Sequence, residues 1–179
     1  MRALGAVLLA AAGLAAGLER AYALRRRAVL IAALASALEL LRGEIARLAP
    51  VDEAAGRLAR SGPEAARGFF TLFSAGLSAL GEKEVSEIWD SAARTLPLSE
   101  AEREALAAAG RSLGRYGAEE QAAAISRSVA ALSRFAEEAR ARAESGQRLY
   151  AGAGLALGLI AAIMLYGELG RGHAGRSHI

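Results

Sequence analysis

Two uncharged apolar stretches, Ala3–Leu18 and Leu149–Gly167, stand at opposite ends of the chain, and between them apolar residues recur at helical spacing. Ile31, Leu34, Leu38, Leu41, Ile45 and Leu48 follow one another at alternating intervals of three and four residues. Such an a/d-type stripe predicts a helix packed against a partner. Glu39, Arg42, Glu44 and Arg47 take the other face, and nothing between Glu19 and Ala49 stops the helix before Pro50. A short helix over Val51–Ala59 follows, and Ser61-Gly62-Pro63 forms a turn that opens the next. That third helix, Pro63–Leu80, carries Phe69, Phe70, Phe73, Leu77 and Leu80, and Gly81 breaks it. Val85, Ile88, Trp89, Ala92 and Leu96 form one face of a fourth, ended by Pro97. Ser99 then caps a fifth, with Glu102 three residues on completing a capping box. Its apolar face is Leu106, Ala109 and Leu113, interrupted by Gly114 to Gly117. The sixth, from Ala118 to about Gln147, presents Ile125, Val129, Leu132 and Ala136 and runs into the second apolar stretch. No segment reads as a strand. The pattern predicts an all-α bundle of about six helices, with Trp89 and the phenylalanines in its core.

The terminal stretches suit a membrane. Leu149–Gly167 is uncharged over roughly the length that crosses a hydrocarbon core, and Arg148 and Glu168 bound it. Tyr150 and Tyr166 stand near its ends, roughly 24 Å apart at helical rise, where amphipathic rings favour the interface. Ala3–Leu18 is shorter and richer in alanine. It reads as an uncleaved span, with a secretory signal peptide cut near Ala21-Tyr22-Ala23 as the alternative. Arg25-Arg26-Arg27 beyond such a cut argue against cleavage, because positive charge there resists translocation.

Charge orients the pair. Arg20, Arg25, Arg26 and Arg27 follow the first stretch, Arg134, Arg140, Arg142 and Arg148 precede the second, and only Arg2, Arg171 and Arg176 lie outside. The positive-inside rule then places the middle of the chain in the cytosol and both termini outside. The expected organisation is an N-terminal span with its juxtamembrane segment (1–24), a cytosolic bundle (25–148), a second span (149–167) and a short flexible tail (168–179).

Composition narrows the chemistry. The net charge is +3, yet from Glu19 to Arg148 nineteen basic residues face eighteen acidic ones. No basic face interleaved with aromatics appears, which argues against nucleic acid as a partner. Anionic lipid headgroups suit the juxtamembrane arginines better, at about 1 kcal/mol each near a surface. The chain has no cysteine, excluding disulfides and thiolate metal sites. Its histidines, His173 and His178, lie in the tail. No Gly-rich loop carries the lysine of a P-loop. The pairs Glu119-Glu120 and Glu137-Glu138 are adjacent and point to different helix faces. Ser112 and Ser126 have no histidine in the domain to serve as base. The sequence therefore predicts no catalytic residue, no metal site and no cofactor.

The apolar ends carry a packing signal instead. Gly13 and Gly17 form a Gly-xxx-Gly pair, and Gly154 and Gly158 repeat the spacing, with Ala162 following. Small residues four apart let helix backbones approach closely in lipid, so these faces are candidates for packing the spans on each other or on another copy. Chance spacing in Ala/Gly-rich spans is the alternative.

Several segments together resemble the stage III sporulation protein AB family. They are Leu38-Glu-Leu-Leu-Arg-Gly-Glu44-Ile45, then Ala49-Pro50-Val51-Asp52-Glu53-Ala54, and Val85-Ser-Glu-Ile-Trp89-Asp-Ser-Ala92. The last and best is Glu102-Arg-Glu-Ala-Leu106-Ala-Ala-Ala-Gly110-Arg-Ser-Leu113-Gly114-Arg115, continuing through Gln121. Tyr116-Gly117 departs from the family's Ser-Asp turn and removes an Asp that would cap the last helix. The resemblance implies a fold similar to the cytoplasmic domain of the type II secretion platform protein F. It also implies a non-enzymatic platform subunit of the channel between mother cell and forespore, sited in the mother-cell membrane. Its expected partners are the membrane, a secretion-type ATPase, other channel subunits and further copies of itself. The turn with Arg111, Arg115, Glu119 and Gln121 is the candidate partner surface; the plainer reading is a tight turn in which Gln121 bonds exposed backbone. An adaptor unrelated to secretion, or an exported protein with a C-terminal anchor, is the competing assignment.

Overall fold

A computed structural model describes the backbone of residues 2–79, 81 and 83–173, and the side chains of residues 15, 17, 19–78, 81 and 83–145. It is all-helical among these residues. Six α-helices follow in order: α1 (Arg2–Ala46), α2 (Val51–Ser61), α3 (Glu64–Gly76), α4 (Val85–Arg94), α5 (Glu100–Gly110) and α6 (Ala118–His173), with a 3-10 turn over Leu77–Ala79. Two compact units emerge. One is Arg25–Arg140; the other joins the chain ends, Met1–Leu24 and Ala141–Ile179.

Within the first unit the predicted stripe of α1 is the spine. Ile31, Leu34, Leu38, Leu41 and Ile45 are all buried, and Ile125, Leu132, Ala136 and Ala139 of α6 belong to the same core. The expected sixth member behaves differently. Leu48 is 79% exposed because α1 ends at Ala46, before Pro50 is reached. The Ala49 N–H donates to Glu44 O at 3.1 Å and the Leu48 N–H to Ile45 O at 2.9 Å. This is a Schellman closure, which requires a left-handed residue at Leu48, and its φ is 60°.

The shorter helices pack in sequence, α2 on α3, α3 on α4 and α4 on α5. Their join is aromatic. Trp89 meets Phe69 and Phe73 edge to face, with both centroid separations 4.8 Å, and Phe70 packs edge-on against Phe69 at 4.9 Å. All four rings are buried. Edge-to-face pairs gain about 0.5–1.5 kcal/mol beyond the area they bury, so α3 and α4 are locked through this cluster. The expected third helix stops at Gly76, where the backbone tightens into the 3-10 turn; Leu80 lies outside the described residues. A Cβ on Gly76 would come within 2.4 Å of Ile88 Cγ2, so this close crossing of α3 and α4 needs glycine.

Among the described residues no helix is long and apolar enough to cross a membrane. Apart from Ala15 and Gly17, the side chains of Ala3–Leu18 and Leu149–Gly167 lie outside those described. So do the predicted packing residues Gly13, Gly154 and Gly158, whereas Gly17 is buried. The α6 backbone is helical to His173, and His178 lies outside the described residues.

Candidate docking surface

The segment joining α5 to α6 is built from the residues that carry the sequence resemblance, and each has a physical task. Trp89 Nε1 donates to the Leu106 carbonyl at 2.9 Å, which satisfies the indole N–H inside the core. One turn later Gly110 gives the indole room; a Cβ there would lie 2.3 Å from Trp89 Cδ1. Leu113 is buried, and Gly114 follows with φ 74°, a left-handed conformation that reverses the chain. The Ser112 hydroxyl donates to Ala109 O at 2.7 Å and caps the end of α5.

The start of α6 lacks a side-chain cap from an Asp, and the next turn compensates. The Gly117 N–H donates to Glu120 Oε2 at 3.1 Å, placing an acid at the positive end of the helix. Gln121 Nε2 donates to Tyr116 O at 2.6 Å. Gln121 is thus half-buried and occupied with the turn, as the plainer reading anticipates.

The other three predicted residues face outward. Arg111 pairs with Glu104 at 2.6 Å, Arg115 lies 3.7 Å from Glu84, and both arginines are exposed. Glu119 is exposed as well. Tyr116, 59% exposed, stands among them at the tip and adds an aromatic contact that charge-based reasoning passed over. The turn therefore brings together Arg111, Arg115, Tyr116 and Glu119 as an outward surface and withdraws Gln121 from it.

A second feature escaped the sequence. Glu102, buried to 4% exposure, accepts the Ser99 N–H at 2.7 Å as the capping box predicts. It also receives Arg27 Nη2 at 2.9 and 2.8 Å on its two oxygens. Burial would push this carboxyl up, but the Ser99 backbone, the Arg27 guanidinium and the Ser99 hydroxyl outweigh it and hold the group below its ordinary value. One arginine of the Arg25–Arg27 run is thus a structural tie from α1 to α5. No sequence signal links positions so far apart.

No group of three His, Cys, Asp or Glu side chains among the described residues is placed to hold a metal ion. The fold and the turn describe an all-helical domain that presents a charged surface. The chain belongs to the stage III sporulation protein AB family, whose model matches residues 2–166. It matches no curated protein and no solved structure.

Proposed function

We propose that this chain is a non-enzymatic platform subunit of the channel complex between mother cell and forespore, held in the mother-cell membrane by both ends. In this reading it joins a cytosolic secretion-type ATPase to other channel subunits, and Gly13, Gly17, Gly154 and Gly158 pack its spans. The observation that carries the reading is the extent of the family match, which takes in both apolar ends together with the bundle between them. Arginine placement supports a cytosolic bundle. The outward charges of Arg111, Arg115 and Glu119 supply a surface for assembly.

Topology provides the direct test. A reporter fused at the C-terminus is expected outside the cytosol and one inserted at Gly81 inside it; the reverse labelling would refute the arrangement. For the partner surface, the full chain in membranes is expected to recover the ATPase, and Arg115→Glu to recover less. Equal recovery would exclude the turn as a contact.

A further inference from the structure

Three arginines in succession, Arg25, Arg26 and Arg27, open the Arg25–Arg140 unit, and the fold uses only one of them. Arg27 is turned onto α5, where its Nη2 meets both oxygens of the Glu102 carboxylate at 2.9 and 2.8 Å. Successive residues of a helix stand about 100° apart around its axis, so Arg26 lies on the flank of α1 and Arg25 on the side away from α5. Both are exposed, and neither has a hydrogen bond or an ion pair among the described residues.

No acid is at hand to take them. From Arg20 to Leu38 the helix has no carboxylate, so neither arginine has an acidic neighbour three or four residues away. Glu102, the carboxylate that the fold brings to this run, is occupied by Arg27 and the Ser99 N–H. The other exit of the unit is different. From Arg134 to Glu144 the three arginines of α6 are matched by three glutamates, and the charge there cancels. The uncompensated charge gathers where α1 enters the unit.

Depth along the helix says what faces it. The α1 helix is continuous from Arg2 to Ala46, and Arg25 and Arg26 follow Leu18, the last residue of the first apolar stretch, by seven and eight residues. At helical rise these intervals are roughly 10 and 12 Å. Helical side chains lean toward the N-terminus and cover the turn before their own Cα, about 5 Å back. The guanidinium groups therefore reach a level roughly 5–7 Å beyond Leu18. The headgroup zone of a bilayer extends roughly 5–8 Å beyond the hydrocarbon core on each side. With Leu18 at the edge of that core, both groups stand at the depth of the lipid phosphates. A guanidinium is the planar, always-charged fork that takes a phosphate through two parallel hydrogen bonds.

We infer that Arg25 and Arg26 form a binding site for anionic lipid headgroups, whereas Arg27 belongs to the fold. The site rests on the membrane reading above. Its ligand is the phosphodiester of a lipid with net negative charge, such as phosphatidylglycerol. Two arginines with no acid beside them attract that group and repel the ammonium of a zwitterionic headgroup. Three identical residues are thus divided by the helix itself, two facing lipid and one facing α5.

The test uses the full chain in phosphatidylcholine nanodiscs doped with spin-labelled phosphatidylglycerol or spin-labelled phosphatidylcholine. The chain has no cysteine, so Ala23→Cys, at an exposed position, carries a single fluorophore that a neighbouring spin-labelled lipid quenches. Phosphatidylglycerol is expected to quench at the lower mole fraction. Arg25→Gln and Arg26→Gln should each reduce this preference roughly fivefold, the worth of one basic side chain at an anionic surface. Neither should move the melting temperature in phosphatidylcholine, because neither residue has a partner to lose. Arg27→Gln should keep the lipid preference and lower the melting temperature; the opposite responses of neighbouring arginines support the assignment. Equal or absent quenching by the two lipids, or an undiminished preference when Arg25 and Arg26 are both replaced, overturns the site and leaves the membrane reading standing. A detergent-solubilised chain stabilised by inorganic phosphate but not by phosphatidylglycerol would make the ligand a soluble anion and overturn it as well. A wild-type chain that does not enter the nanodiscs overturns the membrane reading itself, and the lipid site with it.

Discussion

Leu48 holds a left-handed backbone at φ 60° with its side chain in solvent, a position that favours glycine. A Cβ in this region is strained, and the exposed isobutyl group returns little packing. Leu48→Gly is therefore expected to raise stability by about 0.5–1 kcal/mol, the strain relieved exceeding the flexibility added to the unfolded chain. Urea unfolding checks it; a lower midpoint would show that Leu48 packs on something the bundle needs. Gly110 is the opposite case. Its missing Cβ is the space that the Trp89 ring fills, and both lie in a core that cannot yield easily. Gly110→Ala should cost about 1–3 kcal/mol by overpacking and alter Trp89 fluorescence, since the indole must leave its bond to Leu106 O. Unchanged emission with unchanged stability would refute the role given to this glycine. Neither requirement was legible: a leucine gives no left-handed signal, and a glycine inside a helical pattern does not announce the ring against it.

Between elements, what repeats locally was readable and what connects distant segments was not. The α1 stripe, the Phe and Trp faces and the Ser99–Glu102 box follow from spacings of three and four residues, which the helix itself imposes. The contact of Arg27 Nη2 with both carboxylate oxygens of Glu102 spans 75 positions, and Arg27 looks in sequence like its neighbours Arg25 and Arg26. Its consequence is testable through pH. Glu102 has a folded-state pKa below its ordinary 4.5, so its contribution is fully present above that value and is lost as pH falls below it through the folded value. Glu102→Gln should lower stability at pH 7 by about 1–3 kcal/mol, the range for charge-assisted bonds to a buried group. It should also flatten the decline in melting temperature below pH 4.5. Parallel acid limbs for variant and wild type would show that Arg27 and Ser99 do not hold this carboxylate ionised.

At the scale of the whole chain, the bundle and the ends pose separate problems. The hydrophobic core runs from Ala28 to Ala139, and the aromatic cluster, the Ser99–Glu102 capping box and the Arg27–Glu102 tie all fall within the same limits. Periodicity made this bundle legible, and the order of motifs made the family legible; the candidate surface was half legible, because the charges of the turn are in the sequence but their internal pairing is not. If the core is self-sufficient, the apolar ends contribute location rather than folding. A fragment of residues 25–145, soluble without detergent, should then unfold in one cooperative thermal transition with coincident far-ultraviolet and tryptophan signals, as single domains of this size do. Trp89, the only tryptophan, reports the α3–α4 join, while the helical signal is weighted toward α1 and α6. Were the fluorescence change to precede the loss of helix, or the helix to melt without a transition, the long helices would need the terminal segments to stay in register. The two apolar ends would then be part of the fold.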